Sequence, residues 1–243
     1  GRRSGRPSAS GSVLNFSELF APIVSDMRAV DAVIRARLDS EVVLIRTIGD
    51  YIVGAGGKRM RPAMVLLVAG ALGYRGDNHH RLAAVVEFIH TATLLHDDVV
   101  DESRQRRGRP TANLLWDNKS SVLVGDYLFA RAFQLMVEPG KLRILDILAN
   151  ASATIAEGEV LQLTAAQDIA TSEDTYIQIV RGKTAALFSA ATESGSVVAG
   201  ADDTVRQALF EYGDALGIAF QIVDDLLDYG GSTATIGKNI GDD

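Results

Sequence analysis

The sequence predicts an all-α protein, a single domain of several long helices around a shared core. Three observations point there. Apolar residues recur at helical spacing almost throughout, only five prolines interrupt 243 residues, and no strand-like alternation persists for long.

The elements follow in order. The first fifteen residues, beginning GRRSGRPSASGS, are mostly basic and small and read as a disordered arm preceding a domain over residues 16–243. From Val24 to Val53, apolar positions at Val30, Val33, Ile34, Leu38, Val42, Ile45 and Ile48 predict one or two amphipathic helices. Gly54-Ala55-Gly56-Gly57 breaks them, and Pro62 is suited to open the next helix, over residues 63–72. A polar turn at Arg75–Asn78 precedes a helix from about Arg81 to Asp98, and ESRQRRGRPTAN, with Gly108 and Pro110 as breakers, follows it as a charged loop. Further helices are expected over about Ser120–Val137, Lys141–Ala166, Ser172–Ala199 and Asp202–Tyr229, then a glycine-rich tail.

Composition narrows the function. With 24 basic and 31 acidic residues the net charge is −7, which lacks the basic footprint of a general nucleic-acid binder. The absence of cysteine excludes disulfides, thiolate catalysis and Cys-ligated metals, and it fits a reducing, cytoplasmic compartment. No apolar run approaches the roughly 18 residues of a membrane span.

The stretch EFIHTATLLHDDVVD ends on Asp97, Asp98 and Asp101, and FQIVDDLLDY repeats the spacing with Asp224, Asp225 and Asp228. On a helix, the first and last aspartates of each set lie on one face, about 6 Å apart. At that distance like charges repel by roughly 2–3 kcal/mol at an effective dielectric near 20, a cost that a bound cation reverses. Both sets offer hard oxygen donors and no histidine–carboxylate set in the sequence has zinc spacing, so Mg²⁺ shared with substrate phosphates is the natural occupant. Solvated helix ends or adventitious Ca²⁺ sites are the plainer alternative. Cations follow glycines at several places: Lys58 and Arg61 after Gly57, Lys183 with Thr184 after Gly182, and Lys238 after Gly237, while Arg106-Arg107 follows the first aspartate set. Glycine beside a cation allows close backbone approach to phosphate, and the collection suffices for two diphosphates.

On GGKRMRP, EFIHTATLLHDDVVDESRQRRGRPTAN, GKTAALF and GIAFQIVDDLLDY, the chain from about residue 20 onward resembles the trans-isoprenyl diphosphate synthases. Within them it is most similar to the long-chain bacterial enzymes of the octaprenyl type. The resemblance implies helices around a central cavity and a homodimer. It also implies Mg²⁺-dependent condensation of isopentenyl diphosphate onto an allylic diphosphate such as farnesyl diphosphate, supplying a quinone side chain. By the same resemblance, Asp97, Asp101 and Asp224 ligate three magnesium ions, with Asp98, Asp225 and Asp228 completing or orienting the shells. Lys58, Arg61, His90 and Arg107 bind isopentenyl diphosphate, and Arg106, Lys183, Thr184, Gln221 and Lys238 face the allylic diphosphate. Glu159 and Gln162 line the cavity. The small Ala92 and Thr93 leave room for a long tail, with Phe133 or Met136 at its floor, and Ala92→Tyr is expected to shorten the product. Several C-terminal helices found in the family have no counterpart before Asp243. Two rivals stay open: a class I terpene cyclase, which needs no isopentenyl site, and a non-catalytic subunit of a heteromeric prenyl synthase.

Overall fold

The computed structural model describes residues 18, 20–54, 57–167 and 170–230, with side chains to 228. The N-terminal arm, the C-terminal tail and Lys238 lie outside the described residues. A short 3-10 turn, Ala21–Ile23, leads into α1 (Val24–Leu38), followed by α2 (Val43–Gly54), α3 (Met60–Ala71) and the long α4 (Asn78–Val100). A two-residue hairpin, β1 (Gln105–Arg106) with β2 (Arg109–Pro110), precedes the short α5 (Ala112–Leu115). The chain continues through α6 (Asn118–Met136), α7 (Leu142–Ala165) and α8 (Glu173–Val180), then a π-helical turn at Arg181–Ala185. It ends with α9 (Ala186–Val198) and α10 (Asp203–Gly230).

The all-α expectation holds, and α4 is its axis. Leu82, Ala83, Ala84, Val85, Val86, Phe88 and Leu94 are buried around its whole circumference, because α1, α3, α6 and α9 pack against it. A helix apolar on every side belongs in the middle of a bundle. α7 and α10 complete the assembly by packing on α9.

Helix starts follow side-chain chemistry. Asp117 accepts from the Ser120 backbone N–H to open α6, and Ser172 accepts from that of Thr175 to open α8. α4 begins three residues before the expected Arg81, because Arg81 donates to both Asp77 and Asn78 at 3.0 Å and draws the polar turn into the helix. The charged loop holds a hairpin the sequence did not announce. Arg107 (φ 51°) and Gly108 (φ 73°) form its two-residue tip, the positive-φ pair of a type I′ turn.

The expected single helix over Ser172–Ala199 is interrupted by the π turn, and two glycines set the position of that turn. A Cβ on Gly182 would stand 2.6 Å from Gly158 Cα and 2.8 Å from the Thr154 carbonyl, while one on Gly158 would stand 2.7 Å from Gly182 Cα. The backbones of α7 and the π turn therefore touch directly. Gly217 on α10 meets Ala185 Cα from the other side, at 2.5 Å for a built Cβ.

A methyl group at this contact has to displace backbone. Gly158→Ala and Gly182→Ala are each expected to lower unfolding free energy by about 1–3 kcal/mol. Gly70→Ala, on the open face of α3 with nothing within 4 Å, should raise it by roughly 0.5–1 kcal/mol. Chemical denaturation of the three variants checks the contrast.

Candidate active site

The first aspartate set sits at the C-terminal end of α4. Asp97 is half-buried, Asp98 is 2% exposed and Asp101 is exposed. Along α4 the residues on the Asp97–Asp101 side are Glu87, His90 and Thr93, spaced by three or four.

Asp98 is committed within the protein. Arg106 grips it with a fork, Nε at 3.1 and 3.0 Å from the two carboxylate oxygens and one terminal nitrogen at 2.7 Å. That bidentate pair satisfies a buried carboxylate and fixes the hairpin. Ser103 N–H donates to the Asp98 carbonyl at 2.9 Å, and Thr111 donates its hydroxyl to Ser103 at 2.8 Å. Arg107 is thereby presented at the hairpin tip. The sequence reading put Arg106 against a ligand; in the structure its guanidinium first serves to hold this loop.

Asp97 is set apart by charge. Its carboxyl is pushed up to about 8, chiefly by burial, then by the adjacent Glu159 carboxyl on α7 and by Asp101, with Lys183 opposing. Glu159, only a candidate lining residue by sequence, is a direct neighbour of the first aspartate set. Gln162, one turn further along α7, is also half-buried.

Lys183 and Thr184 come from the π turn and reach two ways. Lys183, exposed, acts electrostatically on Asp97. Thr184, buried, donates to Gln221 Oε1 at 2.5 Å, and Gln221 donates to Asp225 Oδ1 at 2.8 Å. Tyr176 donates to the other Asp225 oxygen, and burial with that carboxylate raises its phenol to about 12. The second aspartate set, with Asp224 8% exposed and Asp228 exposed, is thus tied to the first through one turn of backbone. Tyr176 had no sequence signal; α8 is only eight residues long and its register against α10 is a tertiary fact.

A third group gathers at the start of α3. Arg61 lies over the Phe188 ring at 4.9 Å and 3.4 Å from His90 Nε2. Lys58 lies 5.9 Å from the centre of the Phe220 ring. Arg59 between them takes a left-handed backbone (φ 55°) and pairs with Asp31 at 3.2 Å. With Glu102 (φ 53°) and Arg107, it is one of three non-glycine positive-φ residues among the described residues, all in the two loops beside the aspartate end of α4.

Two expected pocket residues lie elsewhere. Ala92 has no exposed surface and belongs to the apolar core; five residues at about 100° each put it roughly 140° around α4 from Asp97. Thr93, half-buried, is the member of the pair on the Asp97 side, and its hydroxyl donates to the His90 carbonyl at 2.6 Å. Phe133 is 44% exposed on α6 and cannot floor an internal pocket of this chain, whereas Met136 is buried. A cavity of 490 Å³ between α7, α9 and α10, lined by Ile147, Ser189, Glu193 and Phe210 among others, includes none of the expected ligands.

The donor chemistry fits a hard divalent ion. Asp97, Asp101, Glu159 and Asp224 offer carboxylate oxygens alone, and the elevated Asp97 marks negative charge that Lys183 does not balance.

The chain is similar to known proteins over most of its length. The chain is 48% identical over 230 residues to octaprenyl diphosphate synthase of Escherichia coli, covering 95% of this chain and 71% of that protein. It superposes on the crystal structure of a decaprenyl diphosphate synthase from Rhodobacter capsulatus with a TM-score of 0.87 and 66% identity, covering 93% of this chain and 70% of that one. It superposes equally on a polyprenyl synthase from Caulobacter crescentus complexed with calcium and isoprenyl diphosphate, with a TM-score of 0.88, 52% identity, and 93% and 69% of the two chains covered. Residues 42–243 match the family described as polyprenyl synthetase, and the chain belongs to that family of prenyltransferases.

Proposed function

We propose that this chain is a long-chain trans-polyprenyl diphosphate synthase, condensing isopentenyl diphosphate repeatedly onto an allylic diphosphate such as farnesyl diphosphate. The observation that carries the reading is the π turn. It directs Lys183 to the first aspartate set and Thr184, through Gln221, to the second, so that both act on one anionic group. The neighbouring polyprenyl synthase with bound calcium and isoprenyl diphosphate supports it.

Asp97, Asp101 and Asp224 would hold the magnesium ions, three by the family's pattern, with Asp225 and Asp228 orienting that shell. When bound, Mg²⁺ neutralises the allylic diphosphate as it departs. Lys183 adds a positive charge at the same place, and Thr184, Gln221 and Arg106 position that group; Lys238 is proposed for it as well. Lys58, Arg61, His90 and Arg107 hold isopentenyl diphosphate. Its double bond attacks the allylic carbocation, forming the new C–C bond, and a proton then leaves to the released diphosphate. The apolar core behind Thr93 excludes water that would quench the cation. An apolar stripe on α6, with Leu123 and Phe133 exposed and Val137 exposed at its C-cap, supports a homodimer. Supply of a quinone side chain and a cytoplasmic location complete the proposal.

Incubating an allylic diphosphate and Mg²⁺ with and without isopentenyl diphosphate tests the reading. Polyprenyl products are expected only with both, and Asp97→Asn should lower kcat about 10²–10³-fold. Consumption of the allylic substrate alone would identify a cyclase. Activity that survives chelation would overturn the metal assignment.

The ion-free protein should respond to pH through Asp97. Its folded pKa, about 8, exceeds its unfolded value of 3.8, so its contribution to stability is full below 3.8 and is lost as pH rises through about 8. Thermal melts in chelator are expected to fall across that window. Mg²⁺ should restore stability at the alkaline end, and Asp97→Asn should flatten both effects.

Thr93→Tyr is expected to shorten the product while leaving stability nearly intact. Ala92→Tyr, forced into packed core, should instead destabilise by about 1–3 kcal/mol or more. Product mass spectra alongside melts separate the two, and a full-length ladder from Thr93→Tyr would mean the tail takes another route.

A further inference from the structure

The opposite end of α4 carries another group of metal-binding side chains, which the proposed reaction does not use. His80 and Asp97 are about 25 Å apart along the helix, at 1.5 Å per residue. His79 and His80 stack with ring centroids 4.1 Å apart and planes 28° from parallel. Asp26, in the first turn of α1, approaches both: its Oδ1 lies 2.7 Å from His80 Nε2 and 3.5 Å from His79 Nε2. The three side chains bring ligand atoms within 4.8 Å of one another. Tyr74 packs edge-on against His79 at 5.0 Å.

Hydrogen bonding leaves this cluster incompletely satisfied. Asp26 makes a short contact to His80 and only a long one to His79. His79 Nδ1 is buried with no hydrogen-bond partner, and the residue as a whole is 6% exposed. A buried imidazole with neither nitrogen well paired is costly. An ion at the Nε2 edge of the two rings, beside Asp26 Oδ1, would engage one nitrogen of each ring and an oxygen at once, provided the stacked rings turn so that each in-plane lone pair faces it. His79 Nδ1 would then carry the N–H of a metal-bound imidazole.

We propose that Asp26, His79 and His80 form a binding site for a divalent transition-metal ion, Zn²⁺ by its donor set, which clips the start of α1 to the start of α4. Two imidazole nitrogens and one carboxylate oxygen are a combination that zinc accepts and magnesium does not favour. Tetrahedral zinc, with bonds of about 2.0–2.1 Å, holds its donors roughly 3.3 Å apart, so spacings that all lie within 4.8 Å adjust by about 1.5 Å or less to receive it. The Asp26 side chain is 34% exposed, which leaves an entry path and room for water in the fourth position. The two ends of α4 thereby differ in the ions they select, hard Mg²⁺ at the carboxylates and borderline Zn²⁺ at the imidazoles.

Equilibrium dialysis of the full chain against Zn²⁺, with Mg²⁺ in large excess to fill the carboxylate site, tests the proposal. About one zinc per chain is expected, with His80→Gln and Asp26→Asn each weakening its retention about tenfold or more. Co²⁺ titration of the unmodified chain gives a readout that needs no variant: visible bands of nitrogen-ligated cobalt should appear and be displaced by Zn²⁺. Zinc retention unchanged in a folded His80→Gln or Asp26→Asn protein, no retention by the unmodified chain, or no cobalt bands would each overturn it.

Discussion

The catalytic end of this molecule depends on like charges held together where water is scarce. Asp97, Asp101 and Glu159 crowd at the meeting of α4 and α7, and burial adds to their mutual repulsion. Lys183 opposes them. Such an arrangement costs folding energy unless cations complete it, so the fold is best understood as a receptor for charge brought by ions and a diphosphate. Active-site carboxylates are commonly held in a state that their ligand relaxes.

What keeps the arrangement from springing apart is backbone contact. Gly158 and Gly182 let α7 touch the turn that carries Lys183, and Gly217 lets α10 touch the same turn from the far side. The π turn is the local distortion that results. Its adjacent residues Lys183 and Thr184 act on Asp97 and, through Gln221, on Asp225. On the other side of α4, Arg106 and Asp98 do comparable work for the hairpin, setting the place of Arg107.

Much of this was legible in the sequence. The helical periodicity was carried by residues such as Val30, Ile34 and Leu38, which are buried in the structure. The aspartate sets and the Gly182–Lys183 pair pointed to residues that the structure links, Lys183 with Asp97 and Thr184 through Gln221 with Asp225. Other features were hidden for physical reasons. GKTAAL carries Gly182, but a lone glycine does not announce a π turn; the close contact also needs Gly158 on another helix. Arginine seldom takes positive φ, so the hairpin tip at Arg107 read as irregular loop. Ala92 was offered for the pocket on the resemblance and its small size, yet helical phase turns it into the core. Of the two floor candidates on the next helix, Phe133 faces outward and Met136 inward. Asp26, His79 and His80 are far apart in sequence or merely adjacent, and only the packing of α1 on α4 joins them.

The most direct test is the ionisation of Asp97 itself, read from carbon-13 carboxyl shifts in aspartate-labelled protein with Asp97→Asn for assignment. In the ion-free protein the account expects a midpoint near 8, falling into or below the ordinary carboxylate range once Mg²⁺ and a diphosphate are bound. A midpoint near 4 without ions, or one that ions leave unmoved, would contradict it.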